Sequence, residues 1–112
     1  MSNSHKSQIT IDVELDVNRV PEKINWNATD GGISNEAAKA IMLGVWDEKT
    51  KNTLRIDLWT KDMLMDEMKQ FYHQTILSLA DSFERATDEK NMAADMRDFA
   101  AHFADKLDLI KK

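Results

Sequence analysis

Cysteine is absent from the 112-residue chain, which excludes disulfide staples, thiolate zinc sites, iron–sulfur ligation, a cysteine nucleophile and a lipid-modified cysteine anchor. Glycine is scarce, and the only adjacent pair, Gly31 and Gly32, lacks the spacing and lysine of a nucleotide-binding loop. The longest apolar run, Ala40 to Trp46, falls far short of the roughly 20 residues a membrane-spanning helix needs. A surplus of positive charge is missing too. Fifteen Lys and Arg against twenty Asp and Glu leave a net charge of −5, which argues against a general phosphate-neutralising surface, so no nucleic-acid partner is expected. The first eight residues are small and polar and lead straight into a strand-like segment, without an apolar secretory stretch. A soluble, cytoplasmic protein without direct membrane insertion is expected, with a frayed start and a frayed Lys111-Lys112 end.

What remains is the composition of an ordinary globular protein, with 42% hydrophobic and 31% charged residues. The length suits one domain, residues 1–112, able to remove about 65% of its unfolded surface from water. Charge does not divide the chain: residues 1–60 carry 7 basic and 9 acidic side chains, residues 61–112 carry 8 and 11. Periodicity does divide it, changing from strand-like to helical near residue 61.

From Gln8 to Val17 the residues alternate, with Ile9, Ile11, Val13, Leu15 and Val17 on one face and Thr10, Asp12, Glu14 and Asp16 on the other. This predicts a half-buried strand. Pro21 marks the turn into a second, shorter strand containing Ile24 and Trp26. After Asp30-Gly31-Gly32, Ser34 or Asn35 is placed to cap a short helix through residues 35–39. Gly44 weakens any extension of that helix, so strands are expected at about 41–47 and 53–59, joined as a hairpin. Their common apolar face would hold Ile41, Leu43, Val45, Leu54, Ile56 and Leu58.

In the second half Leu64, Met68, Phe71, Tyr72, Thr75, Ile76, Leu79, Phe83 and Ala86 recur at three- and four-residue intervals, predicting one long amphipathic helix. Thr87 or Asp88 can cap a second helix carrying Met92, Met96, Phe99, Ala100, Phe103, Leu107 and Ile110. The short connection forces an antiparallel helical hairpin. The expected fold class is therefore α+β: a largely antiparallel sheet of about four strands packed on a C-terminal helical hairpin.

Candidate chemistry is thin. Asp95, Asp98, His102 and Asp105 lie along one side of the last helix by their 3-4-3 spacing. A helix opposite its apolar stripe carries such residues anyway, and neither a thiolate nor a second histidine adds specificity; a solvated face is the expectation, with no metal and no cofactor. Asp12, Glu14 and Asp16 form a carboxylate row, but alternate strand residues stand about 7 Å apart, too far for close coupling. No serine or threonine sits in a recognisable nucleophile turn, so no catalytic residue is assigned. Among the methionines, Met68, Met92 and Met96 fall on apolar stripes, leaving Met63 and Met65 for exposure.

The tryptophans carry more. If Leu54, Ile56 and Leu58 face the core, then Arg55, Asp57 and Trp59 face outward, accompanied by Met42 and Trp46. Large aromatics beside arginine on an open sheet face have the character of an interface hot spot. Trp46, Trp59, Arg55 and Met42 are accordingly the candidate protein-binding residues, for another protein, a homodimer or both, against the alternative that one tryptophan belongs to a core of slipped register or is covered by the loop from Asn27 to Ser34.

His5-Lys6-Ser7-Gln8-Ile9-Thr10, Arg19-Val20-Pro21-Glu22-Lys23, Asp30-Gly31-Gly32, Glu36-Ala37-Ala38-Lys39-Ala40-Ile41-Met42-Leu43 and above all Leu54-Arg55-Ile56-Asp57-Leu58-Trp59-Thr60-Lys61-Asp62-Met63 resemble the gliding motility-associated GldC family of Bacteroidetes-type bacteria. Asp66-Glu67-Met68 and Phe71-Tyr72-His73-Gln74 continue the likeness over essentially the whole chain. The resemblance implies a small accessory protein of surface gliding, and carries no catalytic motif across. The expectation is a non-enzymatic, cytoplasmic protein acting by protein–protein binding. The competing reading is a small-ligand-binding or enzymatic domain with a pocket between helical hairpin and sheet.

Overall fold

The computed structural model describes residues 5–109, and among them are five strands and two helices. Met1 to Ser4, Ile110 and Lys111-Lys112 lie outside the described residues, and with them the expected frayed ends and the last position of the second helical stripe. The rest falls into two compact units, one ending at Met63 and one beginning at Leu64. That boundary follows the change in periodicity. The α+β class expected from the sequence is the one observed.

In the first unit β1 (Ile9–Leu15), β2 (Pro21–Ala28) and β3 (Ile33–Ala38) form an antiparallel sheet in the order β1-β2-β3. Its register sets Ile11 opposite Trp26 and Val13 opposite Ile24, so the alternation of β1 continues across β2 as one apolar face. Ile24, only 1% exposed, is the centre of this face. On the other face Glu14 stands opposite Lys23 and Thr10 opposite Asn27, the polar side of a half-buried sheet.

Three features differ from expectation. β1 ends at Leu15, because Asp16 turns the chain: its N–H donates to Val20 O at 2.9 Å, and its carboxylate accepts the N–H groups of Asn18 and Val20 at 2.8 and 2.9 Å. Val17 consequently leaves the apolar row and is 97% exposed. The helix expected over residues 35–39 is instead β3. Asn35 adopts a left-handed φ of 50° and donates its N–H to Asn27 Oδ1 at 2.7 Å. Cross-strand pairing of Glu36, Ala37 and Ala38 with β2 outweighs their helical propensity. The strands also make two sheets in place of one.

The second sheet consists of β4 (Ala40–Trp46) and β5 (Thr53–Trp59). Asp47 closes the turn between them: its side chain accepts from the N–H and hydroxyl of Thr50 at 2.8 and 2.7 Å, and Asp47 and Asn52 pair through their backbones at 2.9 Å. These donors hold the Asp47 carboxyl below the usual range, the backbone N–H of Thr50 foremost. At the far end Thr60, 2% exposed, donates its N–H to Lys39 O at 2.7 Å, while Lys61 N–H reaches Pro21 O at 3.1 Å. The end of β5 is thereby tied to the start of β2.

The second unit is a helical hairpin of α1 (Met65–Thr87) and α2 (Lys90–Lys106). Glu67 accepts the Leu64 N–H at 2.9 Å, and Asp66 and Glu67 place negative charge at the positive end of the helix. At the other end Asp88 takes a left-handed φ of 59° and bonds Glu84 O at 2.8 Å. The Thr87 hydroxyl donates to Phe83 O at 2.8 Å and accepts the Glu89 N–H at 3.1 Å, coupling the exit of α1 to the entry of α2. Across the hairpin Arg97 reaches Asp81 at 2.8 Å and Glu84 at 2.9 Å, which raises its already high pKa.

The fully buried residues of this unit are alanines: Ala80 on α1 and Ala93, Ala100 and Ala104 on α2, each 0% exposed. Small side chains let helix backbones approach closely, so the larger residues are pushed to the flanks of the seam. Phe103 stacks on His73 with ring centroids 6.4 Å apart. Met92 and Phe99, both assigned to the core by periodicity, are 54% exposed, correcting that expectation. Met65 is 75% exposed, as its place off the stripe predicts. Because the seam has no room for added carbons, Ala100→Leu should lower stability by about 1–3 kcal/mol through overpacking. Urea denaturation checks this, and an unchanged midpoint would show that Ala100 is not at a close approach.

Candidate functional site

β4 and β5 pair in unbroken antiparallel register from Ala40 opposite Trp59 to Trp46 opposite Thr53. Directly opposed residues share a face. One face therefore carries Ile41, Leu43 and Val45 with Leu58, Ile56 and Leu54, the set that alternation grouped together, but Leu43 is 39%, Val45 49%, Ile56 53% and Leu54 58% exposed, which corrects the expectation that this face is buried core. The other carries Met42, Gly44 and Trp46 with Asp57, Arg55 and Thr53, and Trp59 beside Ala40. All four candidate protein-binding residues, Trp46, Trp59, Arg55 and Met42, thus occupy one face.

They do not form one cluster. Trp46 and Trp59 stand at opposite ends of the ribbon, about 20 Å apart at 3.3 Å per residue, with the polar pair between them. Trp46 is 66% and Trp59 53% exposed. Arg55 donates from Nη2 to Asp57 Oδ1 at 2.8 Å. Its other terminal nitrogen, Nη1, lies 3.9 Å from where a Cβ on Gly44 would stand. Gly44 thus leaves a shallow place over which the guanidinium extends, and the i, i+2 spacing of Arg55 and Asp57 is the sequence signal for their pairing. Met42, opposite Asp57, is half-buried.

Residues weighed for other chemistry are dispersed. Among the described residues no three His, Cys, Asp or Glu are grouped so as to hold a metal ion, and His102 is exposed with its ring 6.2 Å from Phe99. The strand carboxylates are separated by the turn at Asp16. There the carboxylate meets Lys61 Nζ at 2.8 Å, and Lys61 also reaches Glu22 at 3.3 Å. Lys61 is the residue sequence reasoning missed, because 45 positions separate it from Asp16 and only the folded first unit brings them together. Other open depressions are lined by Asp66, Glu67, Gln70 and Leu107 to Leu109, and by His5 to Gln8 with Thr29 and Asp30. His5 Nε2 donates to Asp30 Oδ1 at 3.1 Å, holding the Asp30 carboxyl low. Neither presents a buried titratable group.

The fold and the ribbon define a small α+β protein whose largest accessible aromatics lie on a β-ribbon, and among the described residues no helix is long and apolar enough to cross a membrane. The family described as gliding motility-associated protein GldC-like matches residues 21–109, from the start of β2 to the last described residue. The chain belongs to that gliding motility-associated family. No curated protein and no solved structure matches it.

The Asp16–Lys61 contact gives a pH prediction. The Lys61 ammonium, with the backbone N–H groups of Val20 and Asn18, lowers the Asp16 pKa from 3.8 to about 2. A carboxyl depressed in the folded state adds stability that is fully present above its unfolded pKa and is lost as pH falls through the folded value. Asp16→Asn should therefore be less stable than the parent at neutral pH, with the difference closing between about pH 4 and pH 2. Thermal denaturation across that range checks it; a difference that persists at pH 2 would mean that the charge of Asp16 is not what stabilises the turn.

Proposed function

We propose that this chain is a non-enzymatic, cytoplasmic accessory protein of the bacterial gliding machinery, which acts by binding another protein component through the face bearing Trp46, Trp59, Arg55 and Met42. The observation that carries the reading is the exposure of Trp46 and Trp59 on the same face of the β4–β5 ribbon. Family membership supplies the gliding context. A tryptophan packed into a partner contributes a few kcal/mol by area, and Trp and Arg are the residues most enriched where interfaces concentrate their energy. The Asp57 contact supports the role of Arg55. It orients the guanidinium before a partner arrives, so less side-chain freedom remains to be lost on binding.

Trp59→Ala tests the reading. An exposed interface residue should leave the unfolding midpoint within the range of surface substitutions, about 0.5 kcal/mol, whereas a core tryptophan would lower stability by about 3–5 kcal/mol. Tagged parent and variant, purified from the native cell, should differ at least tenfold in recovery of a gliding component identified by mass spectrometry. Cell fractionation should place both in the cytoplasm. A strong loss of stability with unchanged recovery by the folded fraction would put Trp59 in the core and end the interface reading.

A further inference from the structure

β4 differs from the other strands in what it lacks. Asp12 and Glu14 interrupt β1, Pro21, Glu22 and Lys23 open β2, Glu36 lies in β3, and Arg55 and Asp57 lie in β5. Such residues protect sheet edges from pairing with other chains. Ala40-Ile41-Met42-Leu43-Gly44-Val45-Trp46 contains neither charge nor proline, and β5 is its only strand neighbour among the described residues.

The backbone direction of this edge is fixed at both ends. Lys39 accepts from Thr60 N–H, and Asp47 N–H donates to Asn52 O, so the odd-numbered residues of β4 turn their peptide groups toward β5. By alternation Ala40, Met42, Gly44 and Trp46 turn theirs to the outer edge.

We propose that β4 pairs antiparallel with β4 of a second copy of this chain, about a two-fold axis through Leu43. This rests on the reading of the β4–β5 ribbon as the interaction element, and it names one partner of it. With the axis at Leu43, Met42 pairs with Gly44 of the second copy and Ala40 with Trp46, so every outward peptide group within the strand meets another. A large side chain then stands beside a small one at each of these pairs. Moving the axis to Met42 or Gly44 sets like beside like and throws an end residue off the strand. Beyond the strand ends the same register brings Lys39 level with Asp47 of the second copy, opposite in charge, at both ends.

The register also accounts for the separated tryptophans. Ala40 has Trp59 on one side within its own ribbon and gains Trp46 of the second copy on the other. Two strand spacings of about 4.8 Å put the tryptophans about 10 Å apart across a methyl group, in place of about 20 Å. On the reverse face Leu43 meets Leu43, and Ile41 meets Val45. A two-stranded ribbon, marginal by itself in water, becomes half of a four-stranded sheet, and the interface is closed and isologous.

The test uses the purified full chain. Sedimentation equilibrium should give twice the mass of one chain at tens of micromolar. Gly44→Pro removes an N–H that points away from β5, so the ribbon is preserved while the dissociation constant rises at least tenfold. Leu43→Cys should cross-link copy to copy under mild oxidation, because opposed residues of a non-hydrogen-bonded pair have Cα atoms about 4.5 Å apart, within disulfide reach. Met42→Cys, two residues out of step with its counterpart, should not. If Gly44→Pro fails to fold, the two cysteine variants decide alone. A monomer at hundreds of micromolar, or a dimer in which Leu43→Cys links no faster than Met42→Cys, overturns the proposal. A monomer that still recovers a gliding component through Trp59 ends the dimer and leaves the accessory function standing. A dimer whose Trp59→Ala variant recovers that component unchanged does the reverse.

Discussion

The register of β4 on β5 governs what the first unit can present to its surroundings. Because opposed residues share a face and the pairing runs unbroken from Ala40–Trp59 to Trp46–Thr53, a slip of one residue would exchange every side chain between faces. The turn at Asp47 and the Thr60–Lys39 bond hold the two ends against such a slip. Those few polar contacts therefore decide that Leu43, Val45, Leu54 and Ile56 lie together, and that both tryptophans lie opposite them. The candidate face is a consequence of turn chemistry as much as of its own residues.

The sequence made the ribbon legible because period-two alternation is a strong local signal in Leu54-Arg55-Ile56-Asp57-Leu58-Trp59, and Asp47 to Asn52 is polar enough to mark a turn. The same reasoning failed at residues 35–39. Glu36-Ala37-Ala38-Lys39 has high helical propensity, and what overrides it is pairing with Asn25 and Trp26, together with the left-handed Asn35 held by Asn27. Those partners come from another strand, so no local pattern announces them. The end of β1 was missed for a related reason. Val17 continues the alternation perfectly, yet Asp16 has stronger claims on the backbone through Asn18, Val20 and Lys61.

In the helical unit the elements were readable and the packing was not. Three- and four-residue recurrence located both helices, since any amphipathic stripe shows it. It could not say which members of the stripe are innermost. Periodicity weights large residues, and Met92 and Phe99 satisfy it while remaining more than half exposed; Ala80, Ala93 and Ala104 contribute little to such a pattern and are wholly buried. Close helix approach selects for small volume, which a hydrophobicity pattern does not encode. The candidate site shows the same limit: strand alternation put Trp46 and Trp59 on one face, but their separation depends on the direction and length of pairing.

That separation constrains the kind of contact the face can make. Energetically dominant residues at an interface gather near its centre, ringed by weaker contacts that exclude water. Two tryptophans about 20 Å apart, with the Arg55–Asp57 pair between them, cannot share one small centre. A partner must either be long enough to cover the ribbon from end to end, or be arranged so that aromatic groups from different chains converge on the small residue Ala40. In the first arrangement the Arg55–Asp57 pair is buried along with the tryptophans and needs polar partners to offset its lost hydration. In the second it stays near the rim, where it remains hydrated and mainly guides orientation. The second asks less of the polar groups, because Ala40, small enough to admit an incoming ring, already lies beside Trp59.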